Sequence, residues 1–521
     1  MNRFFNTAGP CNSEDHYMLS PVARLPELRR LIQEKQYFVI HAARQTGKTT
    51  MVRALAEELR AEGGVALHVS LESSRHTPAL AEVEPRWLRA IFLAARLHLP
   101  EALRPDAPEA IVAETGNRLF EQLQTWAMRV HPRPIVLFLD EVDTIEGPAM
   151  VSFLAQLRAG FNDRPRGFPA SIALVGMRDL RDYLTEAKGG IPPNPGSPFN
   201  INSDSLALRN FTQEEVGELY AQHTAATGQV FTSEAVERAY YWTRGQPFLV
   251  NALAYHLTRR APLPLDQRVG AEEIEGARRH LARSRTTHLS NLEQRLHEPR
   301  VAKIMQPVLL GDSFFEGNLN REDIDYCVDL GLLRRGEMGL ELATPLYREV
   351  LTRALAANYH DSLPAPWWRW QTASGGLDFP ALMAEFFPWW REHGDLLRER
   401  GDANWTEAAA HLILMAFMQR VVNGGGEITR EFATGRGATD LLVTYKGERF
   451  AVELKRVRSA RDKLETVRKK GEEQLVRYLD TMGLNEGWLV IFDQHEELTW
   501  EQRLWTAEEE REGKRLHILG G

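Results

Sequence analysis

Short apolar runs separated by amphipathic stretches dominate the first 180 residues. Strand-like runs occur at Tyr37–Ile40, Val65–Leu71, Ile135–Leu139 and Ser171–Gly176, and residues 76–130 form a mostly helical insert between the second and third. After the first run, apolar residues recur at the spacing of a helix. Strands that alternate with helices in this way predict a parallel sheet covered on both faces.

The pattern becomes helical after about residue 200. A short edge strand is predicted at Pro198–Ile201, and Thr212 with Glu215 forms a capping box that begins a helical lid. Residues 291–360 then read as helix, helix and β-hairpin, the order of a winged helix. Its second helix, REDIDYCVDL, is too acidic to suit a phosphate backbone, which favours a structural or regulatory role over DNA contact.

Tryptophan marks the start of the last part of the chain. Five tryptophans could stack on bases or pack in a core, and at this density we expect packing: Trp367, Trp368, Trp370, Trp389 and Trp390. A helix, two hairpin strands, a second helix and another strand follow. The chain thus divides into five parts. They are an α/β core with N-terminal arm (residues 1–205), a lid (206–290), a winged helix (291–360), a tryptophan-rich segment (361–404) and an α/β domain (405–521).

Composition limits the functional classes. The chain has 521 residues and a net charge of −8. Its two cysteines lie far apart in sequence, so we expect no disulfide scaffold and a reducing, cytoplasmic location. No apolar run reaches the length of about 18 residues that suggests a transmembrane helix, so no membrane partner is expected. The overall acidity gives no general nucleic-acid signature, and any such site must be a local patch.

The first strand leads into a phosphate-binding loop. We define the phosphate loop as Ala42, Ala43, Arg44, Gln45, Thr46, Gly47, Lys48, Thr49 and Thr50. Backbone amides and the following helix N-terminus would hold the β- and γ-phosphates, Lys48 would neutralise them, and Thr49 would bind Mg²⁺. Ala42 replaces the first glycine of the pattern G-x-x-x-x-G-K-[ST]; we expect phosphate binding with a slightly different loop geometry.

The third strand ends in two carboxylates, as a Walker B strand does. Asp140 would hold Mg²⁺ and Glu141 would polarise the attacking water. Arg178, after the fourth strand, could sense the γ-phosphate or pair with nearby acids. Segments around Tyr17 and Arg24 could pack on the adenine or dock the N-terminal arm.

A second constellation lies near the C-terminus. Asp440 begins one strand of a hairpin, and Glu453 and Lys455 lie two apart on the other, hence on one face. Two convergent carboxylates suit a divalent cation, and an adjacent lysine can activate water or stabilise charge on a phosphate. Residues 455–470 carry eight Lys or Arg and two acids, a local basic patch that suits a nucleic-acid backbone.

These motifs resemble two known families. Residues 1–360 look like the AAA-like ATPases of bacteria and archaea, and the Gly245-Gln246-Pro247 segment resembles the lid motif of signal-transduction ATPases with numerous domains. There the proline, here Pro247, approaches the nucleotide and couples it to domain rotation. Residues 400–500 are similar to the PD-(D/E)XK nucleases. That resemblance makes Glu407 an accessory metal ligand beside Asp440 and Glu453, with Gln474 and Tyr478 as a later helix motif.

The sequence therefore predicts an ATP-controlled nuclease. The fold class is α/β: a P-loop NTPase sheet with lid and winged helix, then a PD-(D/E)XK-like domain. ATP and Mg²⁺ are the expected cofactors, with Mn²⁺ an option at the nuclease-like site, and nucleic acid the expected partner. The resemblance also implies a possible homo-oligomer and a possible role in defence against mobile DNA. The alternative is a regulatory ATPase switch whose C-terminal domain binds nucleic acid or protein without cleaving it.

Overall fold

The computed structural model divides the chain into two compact units. The first comprises Met1–His288, Asn320–Arg335 and Ala343–Leu346, and the second Leu289–Leu319, Gly336–Leu342 and Tyr347–Gly521. The structure describes residues 3–77, 79–177, 202–284, 286–309, 320–336, 339–348, 350–351, 370–398, 414, 417–418, 426–433, 438–457, 463–493 and 499–521.

A parallel five-stranded sheet forms the centre of the first unit. Its strands are β1 (Tyr37–His41), β2 (Val65–Ser70), β3 (Ile135–Asp140), β4 (Ser171–Gly176) and β5 (Asn202–Ala207), in the order β2-β3-β4-β1-β5. All pairs are parallel, and Ser70 lies opposite Asp140 at the carboxyl edge. The predicted α/β sheet is confirmed. The edge strand begins at Asn202, while the predicted segment Pro198–Ile201 lies outside the described residues.

Helices cover both faces of this sheet because its strands are apolar on both sides. Those of the core are α1 (Glu27–Gln33), α2 (Lys48–Ala61), α3 (Leu80–His98), α4 (Arg118–Val130) and α5 (Gly147–Ala159). One core cluster joins the odd-numbered side chains of β1, β2 and β3 and the even-numbered ones of β4 to helices α3, α4 and α5, where Trp87 and Trp126 are fully buried. A second cluster joins the other face to α1 and α2.

The lid consists of four α-helices and one π-helical turn. They are α6 (Gln213–Thr227), α7 (Ser233–Thr243), α8 (Pro247–Tyr255), the π-helix His256–Arg260 and α9 (Ala271–Arg283). The predicted capping box is present: Thr212 accepts from the Glu215 amide, and the Glu215 side chain accepts from the Thr212 amide. The N-terminal arm packs on this lid, since the Phe5 ring contacts Tyr17, Tyr220 and Phe231.

The segment predicted to be a winged helix contains the expected elements. They are α10 (Thr287–Arg295), α11 (Pro299–Leu309), α12 (Arg321–Asp329), β6 (Leu333–Gly336) and β7 (Gly339–Leu342). The boundary between the two units passes through this segment. A winged helix as a single module therefore stays a prediction.

The second unit is built on a mixed six-stranded sheet. Its elements are α13 (Phe379–Arg398), β8 (Gly426–Ala433), β9 (Ala438–Tyr445), β10 (Glu448–Val457), α14 (Leu464–Met482), β11 (Glu486–Asp493), α15 (Trp500–Arg503), β12 (Trp505–Arg511) and β13 (Lys514–Gly520). The strand order is β12-β13-β11-β10-β9-β8. Strands β8, β9 and β10 are antiparallel, whereas β11 is parallel to β10 after the α14 crossover.

Helices α13 and α14 cover opposite faces of this sheet. Side chains of α13 pack with Val452, Leu454 and Trp488, and those of α14 with Ala451 and Val457. Trp370 and Trp390 are buried in the α13 cluster and Trp389 packs against it, which confirms packing for these three. Trp367 and Trp368 lie outside the described residues. No helix in the described part of the chain is long and apolar enough to cross a membrane.

Candidate functional site

The phosphate loop owes its shape to two residues with positive φ. Gly47, at the N-cap of α2, has φ 91°, and Gln45 has φ 59°. Ala42 is not among the residues with positive φ, so a side chain at this position is compatible with the loop. The Thr46 hydroxyl closes the loop by donating to the Ala43 carbonyl at 2.9 Å. The strand, loop and helix that the sequence predicts are all present.

Lys48 is held inside this loop. Its Nζ donates to the carbonyl oxygens of Ala42 at 2.6 Å and Ala43 at 2.8 Å. Burial lowers the pKa of Lys48 to about 8, against the opposing effect of the Asp140 carboxylate. An ammonium fixed beside the loop amides provides the positive charge that a polyphosphate requires.

Thr49 and Asp140 supply two adjoining oxygen ligands. The Thr49 hydroxyl donates to Asp140 Oδ2 at 2.7 Å. Burial alone would raise the pKa of Asp140, but hydrogen bonds from His68 and Thr49 and the charge of Lys48 lower it, so the carboxylate stays ionised. A hydroxyl and a buried carboxylate are ligands of the kind Mg²⁺ takes beside substrate phosphates, and this donor set fits the predicted ion. Bound there, Mg²⁺ would neutralise charge that develops on the phosphates.

His68 is a member of this site that sequence reasoning missed. Its Nε2 lies 3.1 Å from Asp140 Oδ2, and Arg53 Nε lies 3.5 Å from its Nδ1. One tautomer satisfies both contacts, with Nε2–H donating to Asp140 and Nδ1 facing Arg53. Only the polar character of position 68 within an apolar strand could have indicated it. We interpret His68 as a residue that orients the carboxylate of Asp140.

We expect His68→Phe to weaken metal binding more than nucleotide binding. The variant keeps an aromatic ring but removes one of the two side-chain donors to Asp140. Residues that orient metal ligands typically contribute about 10- to 100-fold to metal affinity. ADP binding should therefore be unchanged in EDTA but about tenfold weaker in limiting Mg²⁺, as measured by calorimetry. His68→Gln, which retains a donor, should recover part of the loss; equal Mg²⁺ dependence in all three proteins would contradict this role.

Glu141 follows Asp140 in a strained backbone conformation. Its φ of 62° is unusual for a residue with a side chain, and such strain is commonly found at functional sites. The Ser70 hydroxyl donates to Glu141 Oε2 at 2.6 Å. Burial, together with the nearby acids Glu72, Asp140 and Asp143, raises the pKa of Glu141 although the Ser70 bond opposes this. A more basic carboxylate held at the carboxyl edge suits the predicted task of polarising water.

Glu141→Gln should bind ATP normally and hydrolyse it about 100-fold more slowly. The amide preserves the shape of the side chain but cannot accept a proton, and general-base contributions are typically about 10² to 10⁴. Single-turnover hydrolysis and ATP affinity should be measured in parallel. Glu146→Gln serves as the control, since Glu146 is an exposed acid close in sequence. A wild-type hydrolysis rate in Glu141→Gln would exclude this residue as the base.

The lid motif lies against the phosphate loop. Pro247 is the first residue of α8, and the preceding Gln246 places its Nε2 3.5 Å from the Arg44 carbonyl and 3.4 Å from the Gln45 carbonyl. The Arg244 guanidinium instead lies over the Tyr241 ring, 5.5 Å from its centroid. Arg178 lies outside the described residues, so its role stays a prediction.

A cavity of about 720 Å³ lies between the arm, the phosphate loop and the lid. Gln45, Phe248, His256, Arg260 and His280 are among its lining residues. The arm also reaches the loop directly, because the Cys11 amide donates to Thr50 Oγ1 at 3.1 Å. The cavity is large enough for a nucleoside and combines aromatic rings with the cationic Arg260 guanidinium.

A buried carboxylate, Glu453, and a partly buried ammonium, Lys455, form an ion pair on β10 of the second unit. Lys455 Nζ lies 2.5 Å from Glu453 Oε1, and the Glu453 residue is 1% exposed. Both point to the α14 face, between the apolar residues Ala451 and Val457. Helix α14 approaches closely here, since a Cβ added to Gly471 would lie 3.0 Å from Lys455 Cγ.

The other residues of the predicted nuclease-like site are only partly described. The β9–β10 ladder runs as far as Leu441 opposite Val452, so Asp440 and Glu453 are the next residues of the two strands. The side chain of Asp440 and all of Glu407 lie outside the described residues. Gln474 and Tyr478 lie on α14 as predicted, with Tyr478 in its buried cluster. Among the described residues, no group of three or more His, Cys, Asp or Glu is arranged to hold a metal ion.

Comparisons with known proteins match part of the chain. Residues 22–176 match the family described as AAA ATPase domain. No curated protein matches the chain. Similar solved structures include a Walker-type ATPase of Pyrococcus abyssi, with 13% identity over 67% of this chain and 99% of that one and a TM-score of 0.49. A second is the RuvB Holliday junction branch migration motor of Thermotoga maritima, with 14% identity over 66% of this chain and 94% of that one and a TM-score of 0.33. A third is Cdc6p of Pyrobaculum aerophilum, with 13% identity over 64% of this chain and 94% of that one and a TM-score of 0.34.

The family match coincides with the site derived from geometry. It begins at Val22, before the phosphate loop, and ends at Gly176, the last residue of β4. Within it lie the loop, the Lys48 ammonium and the carboxylates of Asp140 and Glu141. Residues 22–176 are an AAA-type P-loop ATPase domain, and the chain is an ATPase over this part of its length.

Proposed function

We propose that this ATPase controls a metal-dependent nucleic-acid phosphodiesterase located in its second unit. The observation that carries the proposal is the Glu453–Lys455 pair. Two ionisable groups interrupt the apolar α14 face of β10, and the Glu453 side chain is only 2% exposed, against 21% for Lys455. Desolvating the Glu453 carboxylate costs several kcal/mol, and apolar residues of similar volume are often at least as stable. A function that requires both charges explains why they are there.

The topology around the pair supports the same function. The β9–β10 hairpin, helix α14 and the parallel strand β11 follow one another in the order on which the sequence resemblance to nucleases rests. Asp440 and Glu453 are the residues that follow the last pair of this hairpin's ladder, Leu441 and Val452, on two adjacent strands. Carboxylates from two adjacent strands would then share one cation, which would supply a Lewis acid for phosphodiester hydrolysis.

Each described residue has a defined task in this proposal. Glu453 would hold the cation together with Asp440, while Lys455 would orient water and stabilise charge on the phosphate oxygens. The exposed residues Lys463, Lys469 and Lys470 border α14 and offer a contact surface for a phosphate backbone. These contacts are independent of base sequence, so a nuclease with little sequence preference is expected.

Nucleotide binding is the proposed control signal. The base and ribose would occupy the cavity between arm and lid, with the phosphates on the loop. The cavity is lined from both sides, by Gln45 of the phosphate loop and by Phe248, His256 and Arg260 of the lid. A ligand that bridges the two would bias their relative position, as differential binding requires.

Incubation with single- and double-stranded DNA and with RNA tests the cleavage activity directly. Wild type should cut at least one of these in Mg²⁺ or Mn²⁺ but not in EDTA. Asp440→Ala and Glu453→Ala should abolish the cutting and leave ATP hydrolysis intact. If wild type cuts no more than these variants do, the second unit is not a nuclease, and the regulatory switch becomes the better account.

A further inference from the structure

The carbonyl oxygens of residues 42–46 of the phosphate loop are all bound by side-chain donors. Those of Ala42 and Ala43 accept from Lys48. The next two, of Arg44 and Gln45, share the Nε2 of Gln246, and that of Thr46 accepts from Arg24 Nη2 at 2.7 Å. The Thr46 hydroxyl also donates to the Ala43 carbonyl, so five consecutive peptide groups are oriented by four side chains.

This orientation determines where the loop amides point. In a planar trans peptide the N–H points opposite to the preceding C=O. The carbonyls of residues 44–46, held towards Gln246 and Arg24, therefore direct the N–H groups of residues 45–47 away from these two side chains, where they can converge on an anion. Gln246 and Arg24 thus help to set the geometry of the phosphate site without contacting phosphate themselves.

Arg24 connects this carbonyl side to the link between core and lid. Its residue is 6% exposed, and its Nε donates to the Arg209 carbonyl at 3.1 Å. The guanidinium also lies 5.1 Å from the centroid of the Phe211 ring. Burial lowers the pKa of Arg24 to about 10, so the group stays charged at neutral pH. Arg209 and Phe211 lie between β5 and α6, in the segment about which the lid would turn.

Gln246 makes the second connection, from within the lid. The Phe211 amide donates to the Gly245 carbonyl at 2.9 Å, and a Cβ on Gly245 would lie only 1.9 Å from the Phe211 carbonyl oxygen. The link and the lid motif therefore fit closely. Gln246 Oε1 accepts from the Leu249 amide at 2.7 Å and caps α8, which leaves its Nε2 for the loop carbonyls.

We propose that Arg24 and Gln246 are positioning residues that make the phosphate geometry of the loop depend on the position of the lid. When the lid turns about residues 209–211, both donors move relative to the loop carbonyls, and the amides on the other side reorient. Nucleotide binding, which favours converged amides, would in return hold the lid in one position. The inference rests on nucleotide binding at the loop and goes beyond the proposed function by naming the groups that transmit it.

Gln246→Glu is the sharpest test of this coupling. Glutamate still accepts from the Leu249 amide and keeps the cap of α8, but it has no donor for the Arg44 and Gln45 carbonyls. Gln222→Glu is the matched control: Gln222 lies on lid helix α6, also donates to a backbone carbonyl, that of Met18, and does not contact the loop. Arg24→Lys is the second variant, since it keeps the charge and loses the planar fork.

The measurement is hydrogen exchange of α8 amides with and without saturating ADP, alongside ADP affinity. We expect ADP to increase protection in wild type and Gln222→Glu. In Gln246→Glu the increase should be lost and affinity should fall about tenfold, with Arg24→Lys intermediate. The coupling would be overturned if ADP increased protection equally in Gln246→Glu and Gln222→Glu. It would also be overturned if wild type bound ADP without any increase in protection. Absence of ADP binding in wild type would instead refute the nucleotide site itself. If Arg24→Lys does not fold, as judged by circular dichroism, Gln246→Glu decides.

Discussion

Lys48→Ala is expected to reduce ATP hydrolysis by at least about 1,000-fold and to weaken ATP binding by about 100-fold. The Lys48 ammonium is held by the Ala42 and Ala43 carbonyls beside the loop amides, with the Asp140 carboxylate acting on its charge. Removing it takes away the positive charge nearest the transferred phosphoryl group, where electrostatic stabilisation contributes most to phosphoryl transfer. Fluorescent-nucleotide titration and phosphate release would measure the two effects separately.

The control for this variant is Lys303→Ala, an exposed lysine on α11. It removes the same charge from a surface helix and should leave both quantities unchanged, as surface substitutions usually do. The Lys48→Ala protein should remain folded, because the methyl group of alanine is tolerated at the first position of α2. Hydrolysis by Lys48→Ala at the Lys303→Ala rate would mean that the phosphate loop is not the site of ATP turnover.

Glu453→Gln should lower the rate of nucleic-acid cleavage by about 1,000-fold or more. The amide preserves the shape of the side chain but removes the negative charge that would hold a cation. It also weakens the 2.5 Å ion pair with Lys455, whose side chain is 21% exposed, which should lower the free energy of unfolding by about 1–3 kcal/mol. Cleavage rate and urea denaturation should therefore both be measured.

Two further variants separate chemistry from stability. Glu453→Gln combined with Lys455→Met replaces the pair by uncharged groups, so it should regain stability and remain inactive. Glu472→Gln removes another carboxylate of the second unit that is 1% exposed and is paired with Arg468 and Arg511. It should lose stability but keep cleavage. Cleavage by Glu453→Gln at the wild-type rate would show that Glu453 has no catalytic function.

The central strands of both units could be predicted because buried parallel strands read as continuous apolar runs. Strand β4 matches its predicted bounds, Ser171–Gly176, and β3 begins at Ile135 as predicted. The edge strand β5 has the sequence NSDSLA and pairs with β1 alone, so it carries little hydrophobic signal. Strand β12, with the sequence WTAEEER, was not predicted for the same reason: its side chains are largely solvated at an edge.

The two halves of the ATPase site could be predicted to different degrees. Lys48, Asp140 and Glu141 follow from local spacing along the chain. His68 and Ser70 depend on the register of β2 against β3, which places Ser70 opposite Asp140 and cannot be derived from spacing. Arg24 and Gln246 act across about 20 and 200 residues of sequence, respectively, through the docking of the arm and lid on the loop. Their contacts arise from tertiary packing.

The proposed control of cleavage by ATP is tested most directly by one cleavage assay. Wild type, Lys48→Ala and Glu453→Gln would be incubated with DNA and RNA in Mg²⁺, with and without ATP. We predict that ATP changes the wild-type cleavage rate by at least about tenfold, as expected for an allosteric coupling of 1–3 kcal/mol. Lys48→Ala should cut at the rate of nucleotide-free wild type whether or not ATP is present, and Glu453→Gln should not cut. The account would be contradicted if ATP did not change the cleavage rate of wild type. It would also be contradicted if wild type cut no faster than Glu453→Gln.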